Sequence, residues 1–319
     1  MNNSKKINVA EIYGKFGIFI ILIATIIISA IISPAFLSAS NLTNVIRQNV
    51  TIGIVACGAQ IVLLCGEVDL SAGSVAAFAG CFAAMVQVAT SNPVLALFTG
   101  LVIGGMIGFI NGIVITGCNI PSFIMTLATQ QAARGAILAI TKAKPISKLG
   151  GFTWFGQGYV GPIPAPIIIW TIILVITGFL LNKMRFGRYI YAVGGNKVAA
   201  QASGIKVKRI ITKCFTMAGL LSGLGGVVLM ARVNSGQPNG GEQLEFDAIT
   251  AVIIGGTSMS GGVGNIYGTI AGALFVGFLI NIMTLLNVSA YFQQIVKGVI
   301  IALAVIIDVK VRTSATHIN

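Results

Sequence analysis

The sequence predicts an all-α integral membrane protein of about ten transmembrane helices, arranged as two inverted halves of five. Three observations lead there. Charged residues make up 8% of the 319 positions and hydrophobic residues 56%; a soluble domain carries about 25% charged residues, so this chain cannot cover a soluble surface. Apolar runs recur along its whole length, most of them near the roughly 20 residues that cross a bilayer. The basic residues gather in short segments between those runs. The net charge of +13 therefore reads as a positive-inside bias with the lipid bilayer as partner, and no nucleic-acid partner is expected.

In chain order, the first apolar run, 16–33, follows Lys5, Lys6 and Lys15. Ser33-Pro34-Ala35 is a poor cleavage site, so the run reads as a retained span. Further runs cover 46–65, 70–90, 93–115, 120–141, 164–182, 210–231, 246–261, 266–287 and 292–308. The eighth, which contains ITAVIIGGTSMSGG, is short and glycine-rich and is a candidate for a broken or re-entrant element. An even number of spans puts both termini on one side. With the N-terminus inside, thirteen Lys and Arg fall in cytoplasmic segments and four (Lys142, Lys144, Lys148, Arg232) in outer loops, which orients the chain. The expected organisation is a cytoplasmic segment 1–15, one transmembrane domain 16–308 with a cytoplasmic loop 183–213, and a cytoplasmic tail 309–319. Five spans per half make the halves inverted, a recurring plan of transporters. GFIN at 108–111 and GFLIN at 277–281 form a faint echo between them.

The polar residues are few, and each has an ordinary reading beside a functional one. Many of the 40 glycines stand at small-xxx-small spacing, such as Gly104/Gly108/Gly112 and Gly219/Gly223, which lets helices pack closely in lipid. Asp69 or Ser71 in GEVDLSAGS (66–74) suits an N-cap for the third span, and Asp247 one for the eighth; the alternative for Glu67, Asp69 and Asp247 is a gate. Gln60, Asn111, Asn119, Ser122, Thr126 and Asn281 are the candidates for a hydrophilic path. Amides and hydroxyls without a mid-span carboxylate suit a neutral, polyhydroxylated solute better than an ion-coupled one. The five cysteines lack ligand spacing and the one histidine, His317, lies in the tail, so no metal site is expected. GGTSMSGGVG (255–264) has no Lys, and no GK[ST] occurs anywhere, so no Walker-type nucleotide site is expected either.

Residues 183–213 carry eight Lys and Arg and no acid. Within them, Asn196 to Gly204 has the form of a two-turn helix, with Asn196 as N-cap, an Ala-rich interior and Gly204 as the stop. So short a helix is marginal alone in water and makes sense if a partner buries it.

Five segments together resemble a known family. They are GEVDLSAGS at 66–74, GFINGIVI with NIPSFIMTLAT at 108–129, FGRYIYAVGGNKVAAQASGIKV at 186–207, EFDAITAVIIGGTSMSGGVGNIYGT at 245–269 and YFQQIVKGVIIALAVIID at 291–308. In that order they are similar to the membrane-spanning permease subunit of ABC sugar importers of the ribose, xylose and galactoside type, the ribose-type branch above all. Phe246 and Met259 stand where leucine is usual. The resemblance implies a non-enzymatic transport subunit of the bacterial cytoplasmic (inner) membrane. It implies a second permease subunit, in a homodimer, an extracytoplasmic sugar-binding protein, and an ABC ATPase subunit that binds ATP and Mg. The family's coupling segment then falls on Asn196, Ala199, Ala200, Ala202, Ser203 and Gly204, with Arg185, Arg188, Lys206, Lys208 and Arg209 at the rim. Other solutes of the same superfamily (a branched-chain amino acid or a furanosyl signalling molecule), an ATP-independent channel or carrier, and an intramembrane enzyme are the competing classes.

Overall fold

The computed structural model describes residues 9–316, with side-chain surroundings for 17–306. Lys5, Lys6 and His317 lie outside the described residues, as do the side chains of Lys15, Lys310 and Arg312. The chain is helical almost throughout: α1 (Val9–Ile32), α2 (Ala39–Leu64), α3 (Ala72–Thr90), α4 (Pro93–Cys118), α5 (Ser122–Thr141), α6 (Trp154–Gln157), α7 (Ala165–Lys183), α8 (Arg185–Gly195), α9 (Lys197–Ala202), α10 (Val207–Val233), α11 (Leu244–Ile254), α12 (Ile266–Leu285) and α13 (Ala290–Thr316). A two-residue antiparallel pair, Tyr159–Val160 with Ile163–Pro164, closes the loop between α5 and α7.

Chains this rich in Ile and Val become helical in lipid because each backbone N–H and C=O must find a partner inside its own segment. Polar residues mark the ends. The Asn92 side chain accepts from the Val94 and Leu95 amides, both at 3.1 Å, with Pro93 in the first turn of α4. Asn119 ends α4 in the left-handed region at φ 54°.

Among the described residues, six helices are long and apolar enough to cross a membrane: α2, α3, α4, α7, α10 and α12. The described apolar parts of α1 and α13 are shorter, residues 17–32 and 290–306. Helix α5 has 20 residues but carries Gln130, Gln131 and Arg134. Helix α11 has 11 residues, about 16 Å of rise, or half a hydrocarbon core. The run expected over 246–261 is thus helical only to Ile254, and residues 255–265 are turns.

Helices α2 and α10 lie side by side at the centre and are buried along most of their length. Helix α10 carries α3 and α4; α2 carries α11 and α12; α5 sits on α3 and α4, and α13 on α11. The contact between α4 and α10 is made by glycine. A methyl at Gly104 collides with the Gly219 carbonyl, one at Gly219 with the Gly104 carbonyl, and one at Gly108 with the Phe215 carbonyl. Phe98, Met106, Val175 and Phe179 remain exposed and in lipid need no cover.

Candidate functional site

At the basic end, α7 turns sharply into α8. Gly187 makes the corner, since a methyl there meets the Leu180 and Leu181 carbonyls. Helix α8 is amphipathic: Gly187, Ile190 and Val193 are buried while Arg185 and Arg188 are exposed. Asn196 is extended, and its Oδ1 accepts the Ala199 amide at 2.9 Å, capping α9. Gly204 follows at φ 83°, where the chain reverses into α10. Ala199, Ala202, Ser203 and Gly204 are exposed. Ala200 is not: it is 5% exposed and packs with Ile210, Ile211 and Leu64 in the subunit's own core. It therefore cannot offer its side chain to a partner. Val198, an apolar side chain 79% exposed, takes that place on the outer face. The phase of α9 puts residue 198 about 200° from residue 200, so fixing Ala200 inward would have found it.

Two non-helical segments meet beneath α8 and α9. One is 65–71 between α2 and α3; the other is the glycine-rich turn 255–265. The Gly262 amide donates to the Leu64 carbonyl at 2.9 Å, and Gly194 sits so close to that carbonyl that no side chain fits. The Tyr191 hydroxyl donates to the Gly264 carbonyl at 2.9 Å; burial pushes this phenol above its ordinary pKa, so it remains a neutral donor. Glu67 is paired with Lys197 at 2.6 Å.

Segment 65–71 climbs through the interior. Helix α10 starts at Val207; Cys214 stands two turns along it and Gly226 five. Cys65 lies against Cys214, and Ala76 against Gly226. Open backbone at that depth must be satisfied by protein. Here the Val68 amide donates to Ser122 Oγ at 3.1 Å and the Leu70 amide to Thr126 Oγ1 at 3.0 Å. The Ser71 amide and hydroxyl donate to Asp69 Oδ1 at 2.8 and 2.6 Å. Asn111 donates to Ser71 Oγ at 3.2 Å and accepts from Thr129 at 2.6 Å. Ser122, Thr126 and Asn111 are therefore buried and held in bonds within the chain.

A second polar seam joins α5 to the start of α11. Gln130 donates to Glu245 Oε1 at 2.8 Å, and Arg134 to the carbonyls of Pro238 and Gly240 at 2.6 and 3.0 Å. Gly73 lacks a side chain where one would strike the Glu245 carboxylate. Asp247 is paired with Lys297 of α13 at 2.8 Å. Glu245 and Asp247 are both buried, in the first turn of α11 rather than midway along a span. Asp247 is also no cap: Gln243 occupies the N-cap of α11 at φ 64°. Nor does Asp69 cap α3 directly; it accepts from Ser71, the N-cap residue, whose own side chain makes no capping bond.

At the end opposite α9 a cavity of about 290 Å³ opens between α2, α10, α11 and α12. Asn49, Thr51, Arg232, Glu242, Asp247 and Asn281 are among its polar lining residues. A neighbouring cavity of about 220 Å³ shares Glu242 with it and is lined by Gln293, Gln294 and Lys297. Of the six path candidates, Asn281 alone lines either cavity; it exchanges two bonds with Asn41, at 2.9 and 3.0 Å. Asn119 is exposed at the end of α4. Gln60 is fully buried in α2, and neither atom of its amide is hydrogen-bonded.

Comparison with known proteins gives relatives over nearly the whole chain. It is 44% identical over 309 residues to the ribose import permease protein of Bacillus subtilis strain 168, covering 96% of each chain. It is 40% identical over 299 residues to the ribose import permease protein of Escherichia coli K12, covering 91% of this chain and 92% of that one. With the D-allose transport system permease protein of the same organism it shares 36% over 314 residues, 96% and 95% of the two chains. No solved structure matches. The family model described as branched-chain amino acid transport system / permease component matches residues 41–305, which takes in both polar seams, both cavities, most of α2 and all of α3 to α12. This chain belongs to that family of transport-system permease components.

Proposed function

We propose that this chain is the permease subunit of an ATP-driven ABC importer that moves a ribose-like pentose or related monosaccharide across the bacterial inner membrane. In this reading ten crossing elements form two inverted halves, α1–α5 and α7 with α10–α13, and the excess of Lys and Arg in 183–213 assigns both termini to the cytoplasm. The packing supports that division, because the second span of each half carries the third and fourth of the other: α10 holds α3 and α4, and α2 holds α11 and α12. The sugar is taken from the names of the relatives.

The observation that carries the coupling is α9. A six-residue helix is too short to persist alone, yet this one is capped at both ends, anchored by Ala200 and left with Val198, Ala199, Ala202 and Ser203 facing out. That is the form of a ball seated for a partner's groove. The partner ATPase subunit binds ATP and Mg, and Arg185, Arg188, Lys206, Lys208 and Arg209 flank the contact. A binding protein delivers the sugar to the other end, where the cavity presents amide, hydroxyl, guanidinium and carboxylate groups that can hydrogen-bond a polyol. The last helix of each half, α5 and α13, packs on few neighbours and carries Gln131, Gln293 and Gln294; these helices line the passage between two copies of the chain. The domain boundaries follow: a cytoplasmic segment to residue 15, the transmembrane domain to 308, and a cytoplasmic tail.

The family description favours a second reading, a branched-chain amino acid. Arg232 and Asp247 at one cavity would suit a zwitterion. Proteoliposomes holding the permease, its ATPase and its binding protein separate the two by ribose or leucine uptake. ATP-dependent ribose uptake is expected, and Ala200→Pro should abolish it while leaving the subunit inserted. Uptake of ribose without the ATPase, or of leucine in its place, overturns the proposal.

A further inference from the structure

We infer that Lys197 and Glu67 form a positioning pair that ties α9 to segment 65–71, so that a displacement of the short helix is delivered into the membrane interior. The inference rests on the importer reading and adds the residues through which coupling runs. Two side chains of α9 turn toward the subunit. Ala200 packs on α10 and so belongs to the same end of the molecule as α9 itself. Lys197 reaches outside that unit, and its ammonium meets Glu67 Oε1 at 2.6 Å. Among the described residues this is the one side-chain hydrogen bond from α9 to segment 65–71.

The segment is built to pass the displacement on. Glu67 precedes Val68 and Leu70, whose amides hang on Ser122 and Thr126 of α5. Next come Asp69 and Ser71, bonded through Asn111 of α4 to Thr129 of α5. Within four residues of Glu67 the chain thus touches α4, α5 and the start of α3. Pinned at these points, the segment passes a shift at Glu67 to α4 and α5 through its hydrogen bonds. The pair also has the strength of a releasable contact. The Lys197 side chain is 46% exposed and that of Glu67 11%, and half-exposed ion pairs are weak and sensitive to salt.

The test uses Lys197→Met, Glu67→Gln, Lys197→Arg, and the reversed pair Lys197→Glu with Glu67→Lys. In the permease alone in nanodiscs, each neutralising variant should speed hydrogen exchange at the amides of 67–71 by about two- to fivefold, the range such a pair supports. Exchange along α10 should stay unchanged, which confirms folding. Lys197→Arg and the reversed pair should restore slow exchange. In proteoliposomes with ATPase and binding protein, ribose moved per ATP hydrolysed should fall by a similar factor in the neutralised variants and recover in the reversed pair. Unchanged exchange, or a reversed pair no better than its single variants, overturns the inference. ATP-driven uptake with unaltered stoichiometry in both neutralised variants overturns it and leaves the importer reading standing; ATP-independent uptake by the unaltered chain overturns both.

Discussion

Replacing Thr126 by valine keeps the shape of α5 but removes the acceptor of the Leu70 amide. Thr126 is fully buried, its Oγ1 lies 3.0 Å from the Leu70 nitrogen, and its own proton goes to the Ser122 carbonyl at 2.8 Å. The carbonyl keeps its helical partner, so the loss falls on the amide. A buried donor left without a partner costs about 1–3 kcal/mol. At about 1.4 kcal/mol per decade, local opening of 67–71 should become roughly 5- to 150-fold more frequent. Hydrogen exchange at Leu70 in nanodiscs reads this directly. Thr171→Val is the control, because Thr171 is exposed and its hydroxyl serves only the Ile167 carbonyl of its own helix. If Leu70 exchanges no faster in Thr126→Val than in the control, the claim that α5 side chains hold the open segment is wrong.

Two further outcomes follow from the packing. Gly104→Ala forces a methyl against the Gly219 carbonyl and should cost about 1–3 kcal/mol, seen as a lower melting temperature in detergent, whereas Gly117→Ala, which meets nothing, should leave it unchanged. Lys297→Met strands the buried Asp247 carboxylate and should destabilise the subunit more than the double change Lys297→Met with Asp247→Leu, because an unpaired buried charge is worse than none; equal melting temperatures would refute the pairing.

Most of the helices could be read from the chain, because lipid forces backbone bonds to be local and leaves hydropathy as a direct signal. The ends of α9 were legible for the same reason: an Asn cap and a Gly reversal are local chemistry. The facing of Ala200 was not, since a six-residue helix takes its phase from Ile210 and Ile211, which come after it in the chain. Asp247 read as a cap because carboxylates favour helix starts; the fact that reassigns it is Lys297, fifty positions away. Ser122 and Thr126 were picked out as polar residues in a span, but only the fold shows that their hydroxyls bond backbone. Arg232 and Asn49, at the cavity, were passed over, one as an outer-loop charge and the other as part of a span.

The cross-packing of the two halves limits what can move. If α1–α5 tilted against α7–α13 inside one subunit, α4 would have to leave α10, and their backbones meet at Gly100, Gly104, Gly108, Gly219 and Gly223 with no side chain between to slide or repack. Such contacts are lost all at once, so the central bundle should move as one body, with α5 and α13, held by side-chain bonds rather than by glycine backbone contact, as the elements able to shift. Engineered disulfides decide this. In a background with the exposed Cys118 replaced by serine, a bridge joining α4 to α10 should leave ATP-driven uptake at least half of its reduced value. A bridge joining α5 to α3 should arrest uptake at least tenfold and release it on reduction. The reverse pattern, with the α4–α10 bridge arresting transport, would mean that the glycine contact opens in the cycle and that the halves do part.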